Sequence, residues 1–175
     1  MHPLEKFKYC PVCGSNRFVI NDDKSKKCEN CGFVYYLNPS SATAAFIINE
    51  KEELLVVTRK YDPAKGTFDL PGGFCDIGEN AEESVKREIK EETNMDINST
   101  KLLFTIPNKY LYSGFVVPTL DSFFLCTVND TSILKTMDDA ASTEWIPLDK
   151  IHTELFGLYS AKQAVTRFCK YWKTK

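Results

Sequence analysis

A carboxylate-rich stretch between residues 73 and 95 constrains this chain most strongly. At about 100° per residue, an α-helix brings Glu88, Glu91 and Glu92 onto one face, while Val85 and Ile89 lie at its edge and point into a core. Like charges spaced three and four residues apart destabilise a helix unless a positive charge lies among them. A divalent cation meets that need, and oxygen ligands favour Mg²⁺ or Mn²⁺ together with substrate phosphates.

A solvated acidic helix is the alternative, because Lys86, Arg87 and Lys90 lie among the glutamates. The glycines before the helix favour the metal site. Gly72 and Gly73 allow the backbone to approach a ligand closely and let a carbonyl oxygen serve as a further hard ligand. The sequence therefore predicts a divalent metal site and a phosphorylated substrate.

The spacing also resembles the signature of a known family. The run Gly73-x5-Glu79-x7-Arg87-Glu88-Ile89-x-Glu91-Glu92-x-Asn94-Met95 is similar to the Nudix box, G-x5-E-x7-R-E-U-x-E-E-x-G-U, in which U is aliphatic. The resemblance covers about residues 40–175 and includes the segments 70–73 and 145–149. It implies the Nudix α/β/α sandwich, an α/β (α+β) fold with a mixed β-sheet. Asn94 replaces the family's glycine, from which we expect lower stability and unchanged chemistry.

The resemblance implies a role for each matching residue. Glu91 and Glu92 would be the principal Mg²⁺ ligands, with Gly72 as a backbone ligand, and Glu88 would be a further ligand or the general base. Arg87 would orient Glu79 or a neighbouring carboxylate. The implied reaction is metal-assisted hydrolysis of a phosphoanhydride.

Further acidic candidates lie in the loop before the last strand, where the family commonly places one more ligand or base. Asp139, beside Asp138, is the catalytic candidate there, and Glu144 competes with it. An exposed loop carboxylate is the alternative for each of them.

Substrate contacts are predicted outside the box. Arg59, at the end of a strand, could bind a phosphate, although such an arginine is often only solvated. The aromatic residues Tyr110, Tyr112 and Phe115 could stack on a nucleobase, with core or cross-strand packing as the alternative.

The substrate itself is less constrained. The residues 138–140, with Trp145-Ile146-Pro147-Leu148, look like those of ADP-ribose pyrophosphatase-type members, so ADP-ribose or a similar ADP-sugar is the preferred substrate. NADH pyrophosphatases also carry a zinc ribbon, but their Ser-Gln-Pro-Trp-Pro-Phe-Pro-x-Ser motif is absent from residues 104–115. Cleavage of NADH or NAD and of nucleoside triphosphates stays open. A non-catalytic, nucleotide-sensing Nudix module is the rival class, and the intact carboxylate set favours an enzyme.

Two cysteine pairs precede this domain. Cys10 and Cys13 form one C-x2-C pair, Cys28 and Cys31 form the other, and each pair is followed by glycine. Such spacing is typical of a four-cysteine zinc site, so we expect a structural Zn²⁺ in a zinc ribbon at residues 1–38 and a Nudix hydrolase domain at residues 39–175. Nucleic-acid contact by the ribbon is disfavoured, because its basic residues are mixed with acidic ones.

Composition excludes several classes. A net charge of -2 and a pI of about 5.8 argue against general capture of nucleic acid. The apolar runs are far shorter than the ~20 residues that span a bilayer, and the N-terminal residues do not resemble a secretory signal. We expect a cytoplasmic protein with a small-molecule nucleotide substrate and no membrane partner, and leave a homodimer open.

The pattern also predicts the main elements. A hairpin of strands is expected at 42–49 and 53–60, and a helix at 81–93 capped by Asn80. Further strands are expected at 97–106, 110–117, 120–128 and 142–147, with a turn at Pro107-Asn108. A last helix is expected at 160–172.

Overall fold

The chain divides into two units, Met1–Pro39 and Ser40–Lys175. A computed structural model describes residues 2–136 and 140–173. The predicted catalytic residue Asp139, and Asp138 beside it, therefore lie outside the described residues. Within the described part of the chain, no helix has the length and apolar character needed to cross a membrane.

The first unit is a small antiparallel sheet. It contains β1 (Phe18–Asp22), β2 (Ser25–Cys28) and β3 (Val34–Tyr36), in that spatial order. Its core consists of Cys10, Phe18 and Cys28, with two aromatic side chains packed against them. So few apolar residues bury little surface, which is typical of a unit that depends on a bound metal.

The described residues of the second unit form two three-stranded sheets. Its strands are β4 (Ser40–Ile47), β5 (Glu53–Arg59), β6 (Phe68–Asp69), β7 (Ile97–Tyr112), β8 (Phe115–Val128) and β9 (Ala140–Pro147). One sheet has the order β4-β8-β7 and the other β6-β5-β9. Strand β4 runs parallel to β8, while the other pairs of neighbouring strands are antiparallel. The predicted mixed sheet is confirmed.

In the part of this unit that the structure describes, two helices cover the sheets. Helix α1 spans Ala81–Thr93 and α2 spans Tyr159–Trp172, with two 3₁₀ turns, Leu148–Lys150 and Thr153–Leu155, before α2. Alternate residues of the strands contribute to two separate cores. Phe46 packs in the core that contains Phe168 of α2, whereas its neighbours Ala45 and Ile47 pack in the core that contains Ile89 of α1. This arrangement confirms the α/β/α sandwich.

The hairpin predicted at 42–49 and 53–60 is wrong. Strands β4 and β5 belong to different sheets and are joined only by a single bridge between Ile48 and Leu54. Four residues of each strand are buried, because each strand lies between the two helical layers rather than on a solvated surface. Sequence proximity therefore did not indicate pairing.

The turn predicted at Pro107-Asn108 is also wrong. Strand β7 continues through Pro107 to Tyr112, and the chain reverses at Ser113 and Gly114, both of which have positive φ. Strand β7 is at the edge of its sheet, where a proline is tolerated because its missing N–H is not needed for pairing. The helices, by contrast, begin and end within one residue of the predicted bounds.

Candidate active site

The ends of α1 fix the position of its carboxylates. Asn80 caps the first turn by accepting hydrogen bonds from the backbone N–H groups of Glu82 and Glu83, and the Glu83 carboxylate accepts from the Asn80 N–H. At the other end, Asn94 has a left-handed conformation with φ 62 and donates its N–H to the Lys90 carbonyl. Both features involve residues close in sequence, so the first and last residues of the helix are determined without contacts from the rest of the site.

Two glycines bring the backbone against this helix. Gly72 has φ +148, and a Cβ there would overlap the carbonyl oxygen of Thr43. A Cβ on Gly73 would stand 2.5 Å from Oε1 of Glu88. The segment is tied to β4 by the bond from the Thr43 N–H to the Gly73 carbonyl, 2.8 Å long. A side chain at residue 72 would overlap the backbone of β4, whereas one at residue 73 would force the Glu88 carboxylate to move.

Arg87 lies at the centre of the acidic cluster. Its Nε and Nη2 donate to the two oxygens of Glu79 at 2.7 and 3.0 Å, and its Nη1 donates to Glu88 and Glu91, each at 2.9 Å. Nη2 also donates to the Phe74 carbonyl. These bonds lower the pKa of Glu79 to about 2, since Arg87 stabilises the ionised carboxylate. One guanidinium therefore orders three carboxylates.

The three glutamates of the predicted metal site have different surroundings. Burial raises the pKa of Glu88 above its usual value, against the opposing effect of Arg87. Glu92 is buried and accepts a hydrogen bond from the Gly72 N–H at 3.0 Å. Both line a cleft, whereas the carboxylate of Glu91 is 48% exposed and is held by Arg87 outside the cleft lining. The structure thus brings Glu88 and Glu92 together with Gly72 and places Glu91 beside them.

The cleft has a volume of about 650 Å³ and extends from these glutamates to the strands β5, β7 and β8. Arg59, which the sequence suggested as a substrate contact, lines the cleft, but its guanidinium already has protein partners. Nη1 contacts Asp69 at 2.7 Å, Nε donates to the Pro63 carbonyl and Nη2 donates to the Tyr110 hydroxyl. Burial raises the pKa of Asp69, and the charge of Arg59 opposes that rise. Arg59 is thus arranged to hold Asp69 and Tyr110 in place.

Two of the three predicted aromatic contacts lie in the cleft. Tyr110 and Tyr112 line it, with ring centroids 6.5 Å apart and planes inclined by 22°. Phe115 pairs with Tyr112 at the end of the β7–β8 hairpin. It is not among the described residues that line the cleft. Phe74, which the sequence interpretation did not single out, packs edge-on against Tyr110 at 5.5 Å.

A polar group on the cleft floor was missed as well. Asp121 accepts a hydrogen bond from the Thr119 hydroxyl at 2.6 Å and one from the Asn108 amide at 3.1 Å. All three residues line the cleft. The pairing of β7 with β8 brings them together, and the misplaced turn at Pro107-Asn108 concealed it. Glu144, the alternative to Asp139, is exposed and lies on β9, where it is opposite Val56 of β5.

The four cysteines of the first unit converge. Their sulfur atoms lie within 4.8 Å of one another, with Cys10 3.7 Å from Cys31 and Cys13 3.7 Å from Cys28. Backbone N–H groups point at the thiols, and the bond from Ser15 is the largest of the effects that lower the pKa of Cys13 to about 6. This set could hold one tetrahedral metal ion.

Known proteins resemble this chain over both units. An ADP-ribose pyrophosphatase from Methanocaldococcus jannaschii is 36% identical over 118 residues, which cover 66% of either chain. An NAD-capped RNA hydrolase, NudC, from Haemophilus influenzae is 27% identical over 158 residues, covering 88% of this chain and 56% of the relative. The chain thus spans about two thirds or less of the length of these relatives.

A solved structure shows the same fold. The NUDIX hydrolase from Nitrosomonas europaea superposes with a TM-score of 0.73 at 17% identity, covering 93% of this chain and 90% of that one. The NUDIX domain family matches residues 38–168, which include the glycine segment, α1 and the cleft. This protein belongs to the NUDIX family.

Proposed function

We propose that the unit Ser40–Lys175 hydrolyses the pyrophosphate bond of a nucleoside diphosphate linked to another moiety, with ADP-ribose or a similar ADP-sugar as substrate. The observation that carries this proposal is the position of Glu88 and Glu92. Both line one cleft, beside the backbone of Gly72 and next to a wall of tyrosines. The relative from Methanocaldococcus jannaschii, named an ADP-ribose pyrophosphatase, supports the choice of substrate.

The donor set fits a hard divalent cation. Carboxylates of Asp76, Glu79, Glu88 and Glu91 surround Arg87, and Glu92 lies beside them, so negative groups outnumber the one guanidinium at their centre. Glu88, Glu91 and Glu92, with the backbone at Gly72, would hold Mg²⁺ or Mn²⁺. When bound, the ion neutralises diphosphate oxygens and lowers the pKa of a bound water.

The side chains of the site would have separate roles in the reaction. Glu88, which lines the cleft, would be either a further metal ligand or the base that accepts the proton of the attacking water at its carboxylate. Water then attacks phosphorus, the bridging P–O bond breaks and two phosphate monoesters leave. Arg87 would keep Glu79 and Glu88 oriented through the four bonds that it donates to them and to Glu91. Asp139 remains the second candidate for the base.

A second substrate class has its own support. The NudC relatives from Haemophilus influenzae align with 88% of this chain, a span that exceeds the second unit and therefore includes cysteine-containing residues of the first. This favours NADH or NAD as the alternative substrate. Nucleoside triphosphates are the remaining enzymatic alternative, and a nucleotide-sensing module is the alternative of another class.

A substrate panel tests these proposals. The protein would be incubated with ADP-ribose, NADH, NAD and nucleoside triphosphates, with Mg²⁺ or Mn²⁺ or with a chelator, and the phosphorylated products quantified. We expect metal-dependent release of AMP from ADP-ribose at a rate well above those of the other compounds. A higher rate with NADH than with ADP-ribose would make NADH the proposed substrate. Binding of a nucleotide without turnover of any compound would favour the nucleotide-sensing module.

For the first unit we propose one structural Zn²⁺ held by Cys10, Cys13, Cys28 and Cys31. The convergence of their sulfur atoms and the small core of the unit support this assignment. Soft thiolate ligands in a tetrahedral set favour Zn²⁺ over Mg²⁺. A cytoplasmic location and a possible second copy in a homodimer stay predictions.

A further inference from the structure

Asp121 presents a fixed carboxylate to the cleft. Asp121 is only 9% exposed and is one of the residues that line the cleft. The Thr119 hydroxyl donates to Oδ1 and the Asn108 amide donates to Oδ2. A carboxylate oxygen can accept two hydrogen bonds, so a ligand in the cleft can donate to either oxygen without displacing these partners.

Charge restricts what such a ligand can be. Arg59 forms an ion pair with Asp69. The negative charge of Asp121 is one of the effects that raise the pKa of Asp69. The two side chains that donate hydrogen bonds to Asp121, the Asn108 amide and the Thr119 hydroxyl, are neutral. A phosphate or a carbonyl oxygen placed here would face a buried negative group, whereas a neutral donor would stabilise it. This end of the cleft therefore suits a hydrogen-bond donor and not a phosphate.

The walls restrict the shape of the ligand. Asn108, Tyr110 and Tyr112 alternate along β7 and all three line the cleft, so the tyrosines stand on the same strand face as the amide that holds Asp121. Phe74 packs edge-on against Tyr110 and also lines the cleft. Aromatic side chains beside a fixed acceptor suit a flat ring that carries a donor on its edge.

We propose that Asp121 recognises the exocyclic amino group of the substrate's nucleobase and so selects an amino-bearing base such as adenine. Thr119 and Asn108 are positioning residues that hold the carboxylate in the plane of this contact. This inference rests on the proposed function, because it requires that the cleft hold a nucleotide. Ribose hydroxyls are neutral donors as well, and the experiment separates a contact to the amino group from a contact to the ribose.

The test compares two ligands that differ only in the amino group. AMP and purine riboside 5′-monophosphate share ribose and phosphate, but the second has hydrogen in place of the amino group. Their dissociation constants would be measured by calorimetry for the unaltered protein, Asp121→Ala and the control Asp149→Ala, which alters an exposed aspartate outside the cleft lining. No turnover is needed, so the result stands apart from catalysis.

We expect the unaltered protein and Asp149→Ala to bind AMP about tenfold more tightly than the analogue, as one charge-assisted hydrogen bond predicts. In Asp121→Ala the ratio should fall to about one. If that variant does not melt cooperatively, Asp121→Asn keeps the shape of the side chain and should lower the ratio about threefold.

Equal affinities in the unaltered protein, or an unchanged ratio in the Asp121 variants, would overturn the inference. Equal weakening of both ligands by Asp121→Ala would also overturn it and would assign the contact to the ribose. A protein that shows the predicted ratio but hydrolyses nothing would retain the base contact and lose the proposed catalysis. A protein that hydrolyses ADP-ribose but binds AMP and the analogue equally would retain the proposed catalysis and lose the base contact.

Discussion

Gly73 lies directly against the carboxylate of Glu88. A methyl group at residue 73 would stand 2.5 to 2.7 Å from all three atoms of that carboxylate group, closer than real Cβ contacts come. The carboxylate therefore occupies space that is open only because residue 73 has no side chain. Gly73 and Glu88 thus form one structural unit in this chain.

Gly73→Ala should displace the Glu88 carboxylate and lower kcat/KM for ADP-ribose by at least about 100-fold, because small misplacements of a catalytic group are costly. The free energy of unfolding should change by less than about 2 kcal/mol, since Glu88 can turn aside. Gly66→Ala is the control. Gly66 has a positive φ, +79, and a Cβ there would meet open space, so stability should fall while turnover stays within about threefold. Equal turnover in both variants would refute the steric role.

Glu79 should make stability depend on acid pH in the metal-free protein. Its pKa is lowered from 4.5 to about 2 by the hydrogen bonds from Arg87, so the ionised form is favoured in the folded state. Its contribution is present above about pH 4.5 and is lost as the pH falls towards 2. The difference in unfolding free energy between the unaltered protein and Glu79→Gln, measured in urea, should shrink over that range. A difference that is constant from neutral pH to pH 2 would contradict the pairing.

The cysteine cluster predicts metal-dependent stability. Purified protein should contain about one zinc ion per chain, and Cys10→Ser should lose most of it while leaving the hydrolysis of ADP-ribose little changed. Elemental analysis and thermal melting would measure both effects. Cys169→Ser, which alters a cysteine of α2, is the matched control and should keep its zinc. Full zinc content in Cys10→Ser would remove that residue from the ligand set.

Asn94 offers a stabilising substitution. It has φ 62 at the end of α1, a conformation that glycine adopts without strain. Asn94→Gly should therefore raise the free energy of unfolding by up to about 1 kcal/mol, and Asn94→Ala should lower it by a similar amount. Urea unfolding checks both variants. A glycine variant less stable than the unaltered protein would show that the asparagine side chain supports the helix end.

Local signals in the sequence predicted the helix that carries the site. Asn80 and Glu83 form a capping box, and Asn94 ends the helix in the left-handed conformation, so both ends depend on residues close in sequence. The glutamate spacing then follows from helical geometry alone. Cysteine spacing was equally informative, because it predicted that the four sulfur atoms come together, and they lie within 4.8 Å of one another.

Long-range pairing hid the rest of the site. Asn108 and Thr119 lie opposite each other in the β7–β8 hairpin, and this register brings Asp121 onto the cleft floor. Pro107 suggested a turn, whereas the true reversal is at Ser113-Gly114, where two residues of positive φ fit a tight hairpin. Asp69 and Arg59 belong to neighbouring strands, and nothing in their sequence spacing indicated that they form an ion pair.

The most direct test of the central claim is the rate of AMP release from ADP-ribose, with saturating Mg²⁺, for the unaltered protein, Glu92→Gln and Glu82→Gln. Glutamine at residue 92 can still accept the Gly72 hydrogen bond, so it removes charge and keeps the local contact. Glu82 is an exposed glutamate on the same helix. The account predicts that Glu92→Gln loses at least about 100-fold in kcat while Glu82→Gln stays within about threefold. Unaltered turnover in Glu92→Gln would contradict the assignment of this helix as the metal-binding centre.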